Sequence, residues 1–146
     1  MECEFPSVNS NKEEMREIFE SVKTIAILGL SSNETKASHM VAKYLQNAGY
    51  KIVPIYPKED TILGETVYRS LSEIPFPIDM VDIFRKPAAF DAIADACIAR
   101  GDIKVFWGQL GLVNNKAAQK AKDAGMIVVQ NYCSKIEHRG IYQVDI

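Results

Sequence analysis

The sequence predicts an α/β fold, a single domain built on a doubly wound parallel sheet of the Rossmann-like kind. Short apolar runs alternate along the chain with amphipathic segments of about ten residues, which is the pattern of successive βαβ units. The 146 residues leave room for one domain, whose core we place at about residues 20–140. We therefore expect parallel strands with helices on both faces of the sheet.

The first half of the predicted domain lies between Thr24 and Lys58. The run TIAIL reads as a buried strand, Ala37–Asn47 as an amphipathic helix and KIVPIY as a second buried strand. Pro54 has no N–H to donate, so we expect that end of the second strand near an edge or a bend. An NAD-binding unit usually carries Asp or Glu after this strand to bind the ribose hydroxyls. Lys58 stands there instead, and a cation suits a ligand whose adenosine carries an extra phosphate.

The rest of the chain continues the alternation of strands and helices. The same spacing predicts a leading helix at Lys12–Ser21, a small strand at residues 67–68, a strand at 79–84, a helix at 87–100, a strand at 103–107, a helix at 114–124 and a last strand at 126–130. The tail from Asn131 is predicted to be a loop or a short helix. On the helices, the residues predicted to face inward are Met15, Ile18, Phe19, Val22, Met40, Val41, Tyr44, Leu45, Phe90, Ile93, Ala94, Cys97 and Ile98.

Composition narrows the classes of partner and compartment. The net charge of −2 argues against a broad nucleic-acid surface, which needs clustered excess Lys and Arg. Cys3, Cys97 and Cys133 form no CxxC pair and are odd in number, which fits a reducing cytoplasm better than a disulfide framework. The polar first residues do not read as a signal peptide, and no apolar run approaches the ~20 residues of a membrane helix. We expect a cytoplasmic protein that binds a small nucleotide; a homodimer and an unknown protein partner both remain open.

The first candidate site follows the first strand. Gly29 allows the chain to leave the strand tightly and lets a ligand approach the backbone. The hydroxyls of Ser31, Ser32 and Ser38 can donate to phosphate oxygens, and Lys36 adds a charge beside the positive end of the following helix. Neither GxGxxG nor the Walker sequence is present. A plain strand-to-helix loop with N-capping serines is the alternative interpretation.

Cations follow two more of the predicted strands. Lys58 comes after the second strand, and Phe84-Arg85-Lys86-Pro87 ends the next long one. Ligands of parallel sheets bind beyond the carboxyl ends of the strands, so these cations gather where an anion would lie. The backbone of the second segment could hydrogen-bond an adenine that Phe84 covers. Ordinary solvated surface charges are the alternative.

Two further segments lie at strand ends. Trp107, Gln109 and Gly111 follow one strand, where Gln109 could bond an amide of a ligand; a core tryptophan followed by a turn is equally open. Cys133 follows the last strand and is a candidate nucleophile or metal ligand. A packed cysteine is the simpler interpretation, because a lone thiol needs a base or a cation to become reactive.

No catalytic constellation emerges from the sequence. His39 reads as part of a helix start, and with His138 it is too isolated to build a metal cluster. There is no GxSxG elbow, no acidic pair at an obvious spacing and no Cys-His pair with a third orienting residue. We therefore predict no catalytic residue and no metal ligand, and expect binding without intrinsic catalysis.

Four stretches, taken in order, resemble a known family: AILGLSSNETKAS, YKIVPIYPKEDTILGETVYRSLSEIP, DMVDIFRKPAAF and FWGQLGLVNNKAAQKAKDAGMIVVQNYCSKIE. Over about residues 20–140 the chain resembles the small stand-alone CoA-binding domain proteins. These are similar to the N-terminal CoA-binding domain of the succinyl-CoA ligase alpha subunit. The phosphohistidine domain of that ligase has no counterpart in these 146 residues, so we do not expect its acyl-phosphate chemistry.

The resemblance implies coenzyme A or an acyl-CoA as the ligand. It implies Gly29, Ser31, Lys36 and Ser38 at the CoA phosphates, Lys58 at the phosphorylated ribose, Phe84, Arg85 and Pro87 at the adenine, Trp107, Gln109 and Gly111 near the pantetheine, and Cys133, Ile136 and Glu137 at the far end. The family often has Arg at Lys36, Asn at Tyr56 and Arg at Tyr132. At Lys36 the change keeps the charge but loses the bidentate fork.

The resulting expectation is a sensor, a carrier or an accessory subunit that binds CoA. One alternative is an NADP-binding regulator or reductase, because Lys58 tolerates a phosphate on the adenosine ribose. A second is an enzyme that uses Cys133 on a thioester or a CoA disulfide. A third is an interaction module whose pocket no longer binds a nucleotide.

Overall fold

The computed structural model describes residues 5–142, in which seven strands are found. They are β1 (Thr24–Leu28), β2 (Lys51–Ile55), β3 (Thr61–Ile62), β4 (Glu65–Thr66), β5 (Met80–Ile83), β6 (Val105–Gly108) and β7 (Ile127–Val129). Five of them form one sheet in the order β2-β1-β5-β6-β7, and every neighbouring pair is parallel. β3 and β4 form a separate antiparallel hairpin.

Helices cover both faces of this sheet, so the predicted doubly wound α/β fold is confirmed. They are α1 (Lys12–Ser21), α2 (Ala37–Asn47), α3 (Phe90–Arg100), α4 (Asn115–Asp123) and α5 (Ser134–Tyr142). α1, α2 and α5 belong to one apolar layer, and α3 and α4 to the other. Strand sequences are apolar at successive positions because both faces are buried: Ile25 and Ala26 are adjacent in β1, and each packs in a different layer.

The chain leaves β1 and β5 in opposite directions. From β1 it passes through α2 to β2, whereas from β5 it passes through α3 to β6. Because β1 and β5 are neighbours, the loops that follow them diverge and leave a crevice at the carboxyl edge of the sheet. This is the topological switch point, where doubly wound sheets bind their ligands.

The predicted elements agree with the structure except in the segment after β2. Residues 67–68 do not form a strand; Tyr68 makes only an isolated parallel bridge with Ile55, and the short strands are β3 and β4 instead. The tail contains a nine-residue helix, α5, the second of the two predicted possibilities. Pro54 lies in β2, which is an edge strand, one of the two expected places. No helix among residues 5–142 is long and apolar enough to cross a membrane.

Two inward-facing predictions are wrong. Met40 and Ile98 are 49% and 41% exposed. In α2 the buried face includes Ser38 and His39, whose side chains bind the preceding loop, so the face is rotated away from Met40. In α3 the buried face ends at Cys97. Cys97 and Cys133 are free thiols, and Cys3 lies outside the described residues.

A buried polar network joins β5, the segment after β6 and the start of α5. Asp82 is fully buried in β5, and its carboxylate accepts hydrogen bonds from Gln109 Nε2 and, at 2.7 Å, from Ser134 Oγ. Gln109 Nε2 also donates to Ser134 Oγ at 2.9 Å. Burial raises the pKa of Asp82 from 3.8 to about 7, because the charged form loses its hydration; the two hydrogen bonds oppose this rise.

The raised pKa of Asp82 predicts how stability depends on pH. Between the unfolded pKa near 3.8 and the folded pKa of about 7, the folded state binds more protons than the unfolded state. The contribution of Asp82 to the free energy of unfolding therefore falls as the pH rises. Asp82→Asn removes the titration. As the pH rises from 6 to 8, the free energy of unfolding of the parent should fall by about 1 kcal/mol more than that of the variant.

Urea denaturation of both proteins at pH 6, 7 and 8 measures this difference. Burial lowers the pKa of His138, which makes stability fall as the pH drops below about 6.5, but this effect is common to both proteins and cancels in the comparison. If the free energies of unfolding of parent and variant differ by the same amount at pH 6, 7 and 8, the prediction is wrong.

Candidate functional site

Gly29 lies where β1 ends and the crevice begins. Its φ of 87° is in the left-handed region, and its N–H donates to Ile55 O at 2.9 Å. A Cβ at this position would lie 3.2 Å from Phe84 O and 3.6 Å from Arg85 Nε. The missing side chain therefore lets the segment after β5 lie directly against the end of β1.

The serines of the β1–α2 loop are held by backbone donors. Ser38 Oγ accepts the N–H of Ser31, and Ser31 Oγ accepts the N–H of Asn33, both at 3.0 Å. Because each hydroxyl oxygen acts here as an acceptor, its own proton remains available to an acceptor in the crevice. His39 Nδ1 lies 2.9 Å from Ser31 O, and since a carbonyl only accepts, this ring nitrogen must carry the proton. His39 thus supports the loop, as expected for part of a helix start.

The N-terminus of α2 has no side-chain cap. Its N-cap residue, Lys36, is extended and exposed, and its side chain makes no capping hydrogen bond. The first N–H groups of a helix have no intrahelical acceptor, and the helix dipole adds a positive potential there. With the hydroxyls of Ser31 and Ser38, these groups can bind an anion of the size of a phosphate.

Arg85 lies at the opposite wall of the crevice. Its Nε is buried and has no hydrogen-bond partner among the described residues. A buried N–H without an acceptor is unfavourable, and an oxygen of a ligand would supply the missing acceptor. Phe84 is partly buried beside it, Lys86 is exposed, and Pro87–Ala89 form a short 3-10 turn.

A cavity of about 260 Å³ adjoins Arg85 on the α3 side of the sheet. Its apolar lining consists of Leu28, Ile55, Leu71, Ala89, Ala92, Ile93 and Ala96. Its polar lining consists of Arg69, Ser70 and Arg85. Apolar walls with a few convergent polar groups are typical of ligand sites.

The sequence does not predict Arg69 and Ser70 as site residues. They follow Tyr68, which continues the sheet through its single bridge with Ile55. Arg69 therefore lies beside the carboxyl end of β2, close to the turn that carries Lys58. A bridge of one residue pair leaves no periodic pattern, and only the position of a basic residue shortly after Val67-Tyr68 could have pointed to it.

Lys58 lies exposed in the turn that follows β2. The next residue, Glu59, has a φ of 67°, and its carboxylate accepts a long hydrogen bond of 3.5 Å from the hydroxyl of Ser32. The turn after β2 therefore borders the β1–α2 loop, and the predicted phosphate-binding segments after β1, β2 and β5 lie side by side.

Trp107 and Gln109 do not expose their side chains to the crevice. Trp107 is fully buried, and its Nε1 donates to Tyr132 O at 2.9 Å. The side chain of Gln109 belongs to the Asp82 network. Gly111 is exposed, and its N–H donates to Asn131 Oδ1 at 2.7 Å. Their predicted place near a ligand stays a prediction, and an effect of Trp107 or Gln109 would act through the loops that they hold.

The last three predicted residues lie at the start of α5. Cys133 is partly buried, Ile136 is 49% exposed, and Glu137 is buried and paired with Lys12 of α1. Ile136 and Glu137 border a groove of about 410 Å³ between α1 and α5. Neither Ile136 nor Glu137 lines the cavity beside Arg85, and their role at the far end of a ligand stays a prediction.

The contact between Gly29 and Phe84 predicts a specific loss of stability. We expect Gly29→Ala to lower the free energy of unfolding by about 2 kcal/mol or more, because the left-handed φ and the crowding against Phe84 O both oppose a Cβ. Gly101→Ala is the matched control, since Gly101 has a φ of 79° and nothing within 4 Å of a Cβ. It should lose only about 1 kcal/mol in urea denaturation. Equal losses in the two variants would show that the close approach has no energetic effect.

Residues 23–139 match the model of the CoA binding domain family. The protein YneT of Bacillus subtilis (strain 168) is 42% identical over 130 residues, which cover 89% of this chain and 96% of YneT. A solved structure from Pyrococcus horikoshii OT3 is 36% identical, with a TM-score of 0.88 over 97% of this chain and 99% of that one. The acetate–CoA ligase (ADP-forming) of Methanocaldococcus jannaschii is 32% identical over 79 residues, which cover 54% of this chain and 11% of the ligase. The family model matches residues 23–139, which is most of the chain, and the chain therefore belongs to the CoA binding domain family.

Proposed function

We propose that this protein binds coenzyme A or an acyl-CoA in the crevice between β1 and β5, and that it acts as a sensor, a carrier or an accessory subunit. The observation that carries the proposal is the buried Nε of Arg85, which has no partner among the described residues and lies beside Gly29. This donor faces the segment in which the uncapped N-terminus of α2 offers further donors. Among the described residues, both walls of the crevice therefore offer N–H donors to an anion.

The lining of the crevice supports a nucleotide with more than one phosphate. In the proposed arrangement the pyrophosphate of CoA lies on the β1–α2 loop, where the hydroxyls of Ser31 and Ser38 can donate. The adenine occupies the apolar cavity beside Arg85. Lys58 approaches the 3′-phosphate of the ribose, which a NAD-type ligand lacks.

The similarity to the acetate–CoA ligase supports the ligand but not the ligation reaction. The matching segment is 11% of that enzyme, so the comparison does not include the remaining parts of the ligase. Binding without ligation fits a protein that reports, carries or presents CoA to a partner.

Calorimetric titration with CoA and with dephospho-CoA tests the proposal. We expect micromolar binding of CoA, near −8 kcal/mol, and at least about tenfold weaker binding without the 3′-phosphate. The variant Lys36→Ala/Arg85→Ala should bind CoA at least about tenfold more weakly than the parent, because it lacks one cation on each wall. Lys104→Ala/Lys122→Ala is the matched control, since both lysines are exposed and outside the described crevice; its affinity should equal that of the parent.

Two results would contradict the proposal. One is unchanged affinity in Lys36→Ala/Arg85→Ala, which would place the ligand elsewhere. The other is NADP binding that is tighter than CoA binding in a competition titration, which would favour a regulator or reductase that uses NADP.

A further inference from the structure

Arg69 binds three carbonyl groups of the turn that carries Lys58. Its Nη1 donates to Tyr56 O at 3.0 Å, to Lys58 O at 3.1 Å and to Glu59 O at 2.8 Å. Its Nη2 lies 3.7 Å from the carboxylate of Asp60. One guanidinium therefore contacts every residue of the turn from 56 to 60 except Pro57.

The conformation of this turn needs such a partner. Three carbonyls point to the same side, and each would otherwise rely on water. Glu59 has a φ of 67°, a left-handed conformation that is unfavourable for a non-glycine residue. The ends of the turn are fixed by backbone bonds, from Tyr56 N–H to Tyr68 O at 3.1 Å and from Val67 N–H to Asp60 O at 3.0 Å. Between these ends, the guanidinium holds the backbone on which Lys58 is mounted.

The turn is also connected to the proposed phosphate site. Glu59, the residue after Lys58, accepts a hydrogen bond from Ser32 of the β1–α2 loop. Arg69 itself lines the cavity next to Arg85, and its side chain is 45% exposed. The residue thus lies between the backbone of the turn and the region assigned to the adenosine.

We propose that Arg69 is a positioning residue for recognition of the ribose phosphate: it fixes the turn at 56–60 so that Lys58 is presented to the 3′-phosphate of CoA. This inference rests on the proposed function of the crevice. The three carbonyls converge on Nη1, whose two hydrogens they share, while Nη2 lies near Asp60. The rigid plane of the guanidinium fixes both nitrogens at once, whereas the ammonium of the shorter, flexible lysine cannot hold both sets of acceptors in this geometry. A lysine at 69 would keep the charge and lose the clamp.

The ratio of the affinities for dephospho-CoA and CoA tests this role. In the parent we expect a ratio of about ten or more. In Arg69→Lys the ratio should fall below about three, because a mobile Lys58 contributes only as an exposed charge does. Lys58→Met should lower the ratio equally, and the variant Arg69→Lys/Lys58→Met should show no further fall, since both changes remove one interaction. A purely structural role of Arg69 would weaken both ligands together and leave the ratio unchanged.

Arg100→Lys is the matched control. Arg100 also clamps carbonyls, those of Leu71, Ile74 and Phe76, but it stands at the end of α3 and does not line the cavity. Its replacement should lower stability and leave the ratio at the value of the parent. If Arg69→Lys keeps the affinity ratio of the parent, the role of Arg69 is overturned and the proposed function still stands. Failure of the parent protein to bind CoA overturns the proposed function, and this inference with it.

Discussion

Parallel pairing of β1 with both of its neighbours is the constraint on which the rest of the structure depends. β1 is hydrogen-bonded to β2 on one side and to β5 on the other, so three strands deliver their following segments to the same edge. The chain turns to opposite faces after β1 and β5, and the crevice follows from this divergence. Gly29 stands at the base of the crevice, where a side chain would force the two segments apart. The position of the site is thus a consequence of topology, and its chemistry depends on the residues placed there.

The two halves of the carboxyl edge satisfy their polar groups differently. Toward β6 and α5, Asp82, Gln109 and Ser134 satisfy one another in a buried network. Such a network holds its loops rigidly, because a half-satisfied buried group is costly. On the side of β1, Arg85 Nε has no acceptor among the residues that the structure describes, and the side chain of the N-cap residue of α2 makes no capping hydrogen bond. The network around Asp82 thus borders a region in which N–H donors are available. Such a preorganised arrangement suits anion binding, because donors that are already in place need little reordering when a ligand binds.

The sequence predicts the sheet and most helices because burial on both faces leaves continuous apolar runs such as Thr24–Leu28. It also predicts the basic and hydroxyl residues at the strand ends, since these positions follow from the alternation of strands and helices. The network of Asp82 could not be predicted. Gln109 lies 27 positions away from it, and an acidic residue within a strand pattern reads as a solvent-facing one.

The role of Arg69 escapes sequence reasoning for a similar reason. Its three acceptors are backbone carbonyls, which every residue carries, so no side-chain pattern marks the turn that it clamps. Tyr68 reaches the sheet through one bridge only, and periodicity needs several residues to become visible. The helix faces illustrate the same limit, because the hydrogen bonds of Ser38 and His39 rotate α2 away from the face that its apolar residues indicate.

The most direct test of the central claim is a heteronuclear NMR titration of the ¹⁵N-labelled protein with CoA. If CoA binds in the crevice between β1 and β5, we expect the largest amide shift changes at residues 29–38 and 84–86, smaller changes in the turn at 56–60 and none in α4. Changes confined to the groove between α1 and α5, or no changes on either wall of the crevice, would contradict it.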